Sequence, residues 1–485
     1  MSIELMGLMT LVVGILALLR GEAFAFKAFI LSTLLGSSAA MILSAIGASI
    51  QPAHLLLGFL AIGVFSKAAN VRAAILLLRF PGPGFWLLCT WLYGIIGAFF
   101  FPRLLAGQYY VNAIGVSAYG VGFAQVPLGP TSGNLTQSIY FTGDVVCFLA
   151  ASVFVQTQDG LRTVTQALLA YCVANILFAG LDLATFWTGT GDLLDFMRNA
   201  TYTIYLDATS GGMRRIIGSF TEASAFAFAT LVTFAFSLQL WLGGVYAKMA
   251  MPVALLSLVL LLLSTSSTAY VALPICLALL YAGSLPQLLS KGRPAPWTTG
   301  LLIVFLPLVL ATIACAIALY QPAYDATADF LNGMVFQKST SQSGIERARY
   351  NLEAFKTFTE TLGLGTGIGS VRASSFPLAA LSNLGVFGSA CYALFIATTM
   401  LSGDAGDDAF AHAARRAAKA GMLASLIAAS LSGSLIDLGM PFFILSALAS
   451  ARLRRQEESL AAGNASQMPP AQDAFSAFPT AAAGT

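Results

Sequence analysis

Apolar runs long enough to cross a hydrocarbon core of about 30 Å as helices recur along the chain, each needing roughly 20 residues, or somewhat fewer if short or bent. They lie near 3–19, 28–49, 53–66, 84–104, 140–157, 161–187, 222–243, 249–264, 268–288, 298–320 and 376–400. A final apolar stretch, 420–451, is broken by Ser432-Gly433-Ser434 and Gly439-Met440-Pro441 and must cross twice. The pattern predicts an all-α polytopic membrane protein with about 11 to 13 transmembrane helices. The first run has no basic region before it and no small-residue cleavage site, so it reads as a retained span.

The polar positions between the runs give the orientation, because basic loops stay cytoplasmic. Arg20/Lys27, Lys67/Arg72/Arg79, Arg162, Lys248, Lys291/Arg293, Arg415/Arg416/Lys419 and Arg452/Arg454/Arg455 all fall on one side if 105–139, 188–221 and 321–375 lie on the other. Those three segments are therefore expected to be external, as is the N-terminus. The largest, 321–375, carries an amphipathic helical pattern in Ile345, Leu352, Phe355 and Phe358. One membrane domain is expected over 1–455. The tail 456–485, rich in Ala, Gly, Ser, Gln and Pro, has no material for a core and is expected to be a disordered cytoplasmic extension.

Composition agrees with the pattern: 58% of the residues are hydrophobic and 9% charged, against roughly 25% charged in soluble proteins. The net charge of +3 follows topology rather than a nucleic-acid partner. All six cysteines sit inside apolar runs, where a thiol behaves as a small hydrophobe, so neither a disulfide nor a metal–thiolate site is expected. The two histidines, His54 beside an apolar run and His412 in a basic loop, offer nothing for a zinc site or a catalytic triad. Gly363-Leu364-Gly365-Thr366-Gly367-Ile368-Gly369 has alternate glycines without the strand-to-helix setting of a nucleotide-binding loop.

The candidate chemistry lies in the external segments. Arg214 and Arg215 immediately precede the span that begins near 222. A guanidinium pair beside a helix N-terminus suits phosphate, through its fork geometry and the free N–H groups of the helix end. Glu222 stands at the mouth of the same helix, either as a carboxylate complementing the dipole or as a general base. Lys338, Arg347, Arg349, Tyr350 and Arg372 supply further charge and an aromatic ring in 321–375. Arg347 and Arg349, two residues apart on a helix, must diverge, one toward the membrane and one toward solvent. Tyr109, Tyr110 and Tyr140 are further aromatic rings in or beside the external segments. Asp144 and Asp437 are the intramembrane carboxylates; such residues are costly and often functional, although Asp437 could simply satisfy backbone groups at its helix break.

Three stretches resemble the bacterial O-antigen ligase and Wzy-type polysaccharide polymerase superfamily. They are Arg215-Ile-Ile-Gly218-Ser-Phe-Thr-Glu222, the serine-rich Leu263-Ser-Thr-Ser-Ser-Thr-Ala269, and Ser343-Gly-Ile-Glu-Arg347 followed by Ala354-Phe355-Lys-Thr-Phe358 and the glycine run to Ser370. The resemblance covers roughly 215–390. It implies a membrane-embedded, GT-C-like glycosyltransferase, inverting and metal-independent, with no cofactor. The donor would be a saccharide on undecaprenyl pyrophosphate, and flippase and chain-length or export proteins would be partners.

By the same resemblance Arg215 and Arg347 would hold the pyrophosphate, with Arg214, Arg349 and Arg372 as supporting cations, and Tyr109, Tyr110, Tyr140 and Tyr350 could stack sugar rings. Two departures matter: no histidine follows the glycine run, where the ligases carry one, and Ser267 follows Ser266 where the family usually has arginine. They favour an exopolysaccharide or O-antigen polymerase of the inner membrane over a ligase. A non-enzymatic lipid-linked oligosaccharide flippase remains the rival from another class, although the chain shows no internal repeat of the transporter kind.

Overall fold

The computed structural model describes residues 2–43, 48–117, 120–121, 125–200, 209–210, 213–289, 297–403 and 408–453. The expected tail 456–485 and the basic positions Lys291, Arg293, Arg454 and Arg455 lie outside the described residues. The helices are α1 (Leu5–Arg20), α2 (Glu22–Ser32), α3 (Pro52–Phe65), α4 (Ala68–Leu77), α5 (Pro83–Leu104), α6 (Ser132–Phe154), α7 (Gln158–Thr188) and α8 (Ala223–Leu242). They continue with α9 (Ala247–Leu263), α10 (Ser267–Leu289), α11 (Trp297–Leu319), α12 (Gln321–Met334), α13 (Gln342–Glu360), α14 (Phe376–Leu401), α15 (Ala409–Ser432) and α16 (Met440–Ala449).

The protein is an all-α, membrane-embedded chain. Among the described residues seven helices are long and apolar enough to cross a membrane, namely α5, α6, α7, α8, α10, α11 and α14, or eight if α3 and α4, bent by 106°, form one broken span. That is fewer than the 11 to 13 expected, because α1, α9 and α16 are apolar but only 10–17 residues long. The run 28–49 is no span at all. Its helix stops at Ser32, and Met41–Leu43 pairs antiparallel with Ala48–Ile50 and with Ser2–Ile3. Gly36-Ser37-Ser38 brings three poor helix formers together. The Ser37 hydroxyl donates to the carbonyl of Ser219 (3.0 Å) instead of serving a helix.

The most enclosed span is α8, with 83% of its membrane-length window buried, and α7, α9, α10 and α15 surround it. At its C-terminal end Arg416 of the basic helix α15 donates to Gln239 Oε1 (3.1 Å). The three segments read as external gather with α8's N-terminus at the opposite end. Ala113 bridges to Val371, Ser219 Oγ donates to the Leu34 carbonyl (2.7 Å), and the Ala373 N–H donates to the Ser434 carbonyl (3.4 Å).

The glycine run is a packing device at that end. Gly363, Gly365, Gly367 and Gly369 all have positive φ, a conformation open to glycine and strained for other residues. A Cβ at Gly367 would stand 2.3 Å from the Gly97 carbonyl oxygen in α5, and one at Gly369 would stand 2.2 Å from that of Gly133 in α6. Asn134 Nδ2 donates to the Ile368 carbonyl (2.7 Å), and Asn383 Oδ1 accepts the N–H groups of Ser370 and Val371 (both 3.1 Å). The run is thereby pinned between three helices, which fixes where Arg372 emerges. Gly367→Ala combines backbone strain of about 1–3 kcal/mol with overpacking of a similar size. The purified variant should melt well below wild type, and an unchanged melting temperature would contradict this packing role.

Helix α13 is present, capped by Ser341, whose Oγ accepts the Gly344 N–H (3.2 Å). Its expected apolar face is not the buried one. Ile345, Leu352 and Phe355 are exposed, whereas Tyr350, Ala354 and Thr357 face inward. The inward positions recur at i, i+4 and i+7, where α13 lies against α14 and the strand Tyr110–Asn112.

Candidate functional site

The adjacent arginines 214 and 215 have separate fates. Arg214 Nη2 is paired with Asp182 Oδ1 of α7 (3.0 Å), and its guanidinium lies over the Phe186 ring, 4.2 Å from the centroid. Asp182 is fully buried and also accepts from Arg198 Nη2 (2.8 Å) and from the backbone N–H groups of Ile217 (2.9 Å) and Gly218 (3.1 Å). Arg214, expected to support an anionic substrate, is thus held against a buried carboxylate that it shares with Arg198. The anchor's consequence falls on its neighbour. With Arg214, Ile217 and Gly218 held by Asp182, the half-buried Arg215 is directed away from α7 toward Glu222, Arg347 and Tyr270.

The electrostatics of Arg215 record this neighbourhood. Burial pushes its guanidinium below the ordinary value; the negative charge of Glu222 raises it, the positive charge of Arg347 lowers it again and Tyr270 raises it. A guanidinium stays protonated throughout, so the shift reports burial first, with Glu222, Arg347 and Tyr270 near enough for their charges to act on it. The Arg215 Nε is buried without a hydrogen-bond partner. Among the described residues neither Arg215 nor Arg347 forms a salt bridge. Two guanidiniums against one carboxylate leave an excess positive charge, which an anion with several oxygens would complete.

Glu222 is the N-cap residue of α8, but its side chain makes no capping bond. Its Oε1 instead accepts the Ser224 hydroxyl. Glu222 lines a cavity of about 320 Å³ formed between α8, the end of α15 and the 433–439 break, where Asp437 lines the same space. This placement is compatible with both roles open to Glu222, since it stands at the α8 N-terminus and lines a cavity. A larger cavity of about 550 Å³ lies at the opposite end, beside Arg79 and Arg452, and contains none of the candidate site residues.

Arg349 and Arg372 meet elsewhere, each with its guanidinium 5.7 Å from the centroid of the buried Tyr350 ring. Arg347 and Arg349 thus diverge as their spacing requires. The side chain of Lys338 lies outside the described residues. Tyr109 is packed with Val111, Leu128 and Val371, while Tyr110 is 61% exposed. Tyr140 is engaged, its hydroxyl donating to the Ser49 carbonyl (3.1 Å) and its ring against His54, so the reading of it as a sugar platform is corrected.

No family model matches the chain, and neither the curated proteins nor the solved structures yield a match. The site therefore stands on its own geometry. Two of its features lay outside the candidates chosen from sequence. Asp182 could have been noticed as the single acid in the run 161–187, since ionisable residues in such runs are costly. Tyr270 carried no local signal. It begins one turn into α10, just after Thr265 and Ser266, whose buried hydroxyls have no hydrogen-bond partner.

Proposed function

We propose that the protein is a membrane glycosyltransferase that polymerises undecaprenyl-pyrophosphate-linked oligosaccharide repeat units into a cell-surface polysaccharide, with its site on the outer side of a bacterial inner membrane. The observation that carries this reading is the meeting of Arg215 and Arg347, two cations without a salt-bridge partner among the described residues, next to a carboxylate that lines a cavity. Pyrophosphate is a good leaving group. The protein need only place an acceptor hydroxyl in line with it and stabilise the charge that develops.

In this mechanism Arg215 and Arg347 bind the pyrophosphate oxygens, and Glu222 accepts the proton of the attacking hydroxyl. Attack from the face opposite the leaving group inverts the anomeric carbon. The Arg349–Tyr350–Arg372 group sets two further cations about a buried ring, suited to a second phosphate oxygen.

The deciding experiment uses purified protein in detergent with a lipid-pyrophosphate-linked repeat unit and a chelator. Longer glycans are expected, because detergent removes the compartments that a flippase needs. If no glycosidic bond forms, yet the protein moves the lipid-linked sugar across a reconstituted bilayer, the flippase reading replaces this one.

A further inference from the structure

The larger cavity, about 550 Å³, belongs to nothing described so far. It lies at the basic end of the bundle, walled by the α4–α5 connection, α6 and the ends of α14 and α16. Phe148 and Ala447 give it apolar surface, and the exposed Arg79 and Arg452 line it as well. Ser152 of α6 lines it too; the residue is 5% exposed, and its Oγ has no hydrogen-bond partner. A buried hydroxyl without a partner is costly, and an acceptor oxygen on a ligand removes that cost. Among the described residues no Asp or Glu lines the cavity, and neither arginine forms a salt bridge. Behind the wall, Lys419 and Arg415 of α15 donate to the carbonyls of Ser402 and Ala451, which also line it. A hollow lined by one sign of charge concentrates its field and attracts the opposite sign, here an anion.

The opening distinguishes a lipid from a soluble anion. Leu76, Phe80 and Leu401 line the cavity and are 52%, 67% and 85% exposed. A free phosphate would leave them bare, whereas acyl chains leaving the cavity cover them. Helix α4 is turned by 106° from α3, so a spanning α3 lays α4 along the membrane surface. Phe80 also meets Trp86 edge-on, with 5.8 Å between centroids, and tryptophan is enriched at the depth of the lipid head groups.

We propose that this cavity binds one anionic phospholipid from the leaflet on the basic side, which the positive-inside rule makes the cytoplasmic one. Arg79 and Arg452 hold its phosphate oxygens, Ser152 donates to another of its oxygens, and its acyl chains run out over Leu76, Phe80 and Leu401. A zwitterionic lipid offers the same phosphate, but its ammonium would be drawn in beside two guanidiniums, so a head group of net negative charge is preferred. The bound lipid ties together the α4–α5 connection and the ends of α14 and α16. The site is at the opposite end from Glu222 and Arg215, and it holds whether or not the protein transfers sugars.

Native mass spectrometry of the full chain in detergent, titrated with phosphatidylglycerol, tests this. Wild type should take up one phosphatidylglycerol ahead of further adducts and bind phosphatidylcholine more weakly. The attraction of one basic side chain for anionic lipid corresponds to about 5-fold in affinity, so Arg79→Ala and Arg452→Ala should each weaken the first adduct by that factor and the double variant by about 25-fold. Arg72→Ala removes an exposed α4 cation that does not line the cavity, and should leave the adduct unchanged. Ser152→Leu fills the cavity and takes no hydrogen bond from the protein, so it should melt with wild type and lose the first adduct with both arginines in place. Equal binding of the two lipids, an unchanged adduct in the double arginine variant, or equal weakening by Arg72→Ala refutes the site. An adduct that survives in a Ser152→Leu variant melting with wild type puts the lipid on the outer surface and refutes the cavity. Displacement of the lipid by excess glycerol phosphate means that the cavity takes a soluble anion, and ends the lipid proposal.

Discussion

Replacing Arg215 or Arg347 by alanine is expected to lower polymer formation about 100- to 1000-fold, the loss typical when one preorganised donor to developing negative charge is removed. Both side chains are half-buried and near enough for their charges to repel, and neither has a salt-bridge partner among the described residues. Their removal costs no ion pair in the resting protein, so the variants should remain in the membrane at wild-type levels. Arg215→Lys should recover part of the activity, since it restores the charge but not the planar fork that grips two oxygens. Arg72→Ala, on exposed α4, should be without effect. Polymer measured against membrane protein by immunoblot separates these outcomes. Normal polymer levels in both Arg215→Ala and Arg347→Ala would end the pyrophosphate proposal.

Hydropathy made α5, α6, α7, α8, α10, α11 and α14 legible because a span announces itself through some twenty consecutive apolar residues. The same signal misread 28–49, where the average is apolar but three small residues hand the backbone to other partners. The break at 433–439 was readable for the converse reason, since Gly439 and Pro441 are local instructions. Long-range pairing was not readable. Arg214 and Arg215 look equivalent in sequence, and only the fold shows that Asp182 holds the first and leaves the second to Glu222 and Arg347. His54, Asp144 and Asp437 were each visible as polar residues in or beside apolar runs. Nothing local says that α3, α6 and the segment after the break pack together, with Gly143 beside both His54 and Met440.

Asp182→Ala should be the most damaging single substitution outside the site, destabilising the protein by about 3–5 kcal/mol, the usual cost of removing one partner from a buried ion pair. The side chain of Asp182 is wholly buried, and those of Arg198 and Arg214 are 4% and 11% exposed. Alanine would strand both guanidiniums in a region with little water, and would also leave the Ile217 and Gly218 N–H groups without an acceptor. Asp182→Asn keeps the shape and one acceptor oxygen but loses the charge, so its melting temperature should fall between wild type and alanine. Arg214→Ala removes only one of the two cations and leaves Arg198 to balance the carboxylate. It should cost less stability than Asp182→Ala and retain polymer formation, which distinguishes it from Arg215→Ala despite their adjacency. Thermal melting of the purified proteins provides the comparison: an Asp182→Ala variant that melts with wild type would show that Asp182 does not hold the segment, and the argument that it directs Arg215 into the site would fall with it.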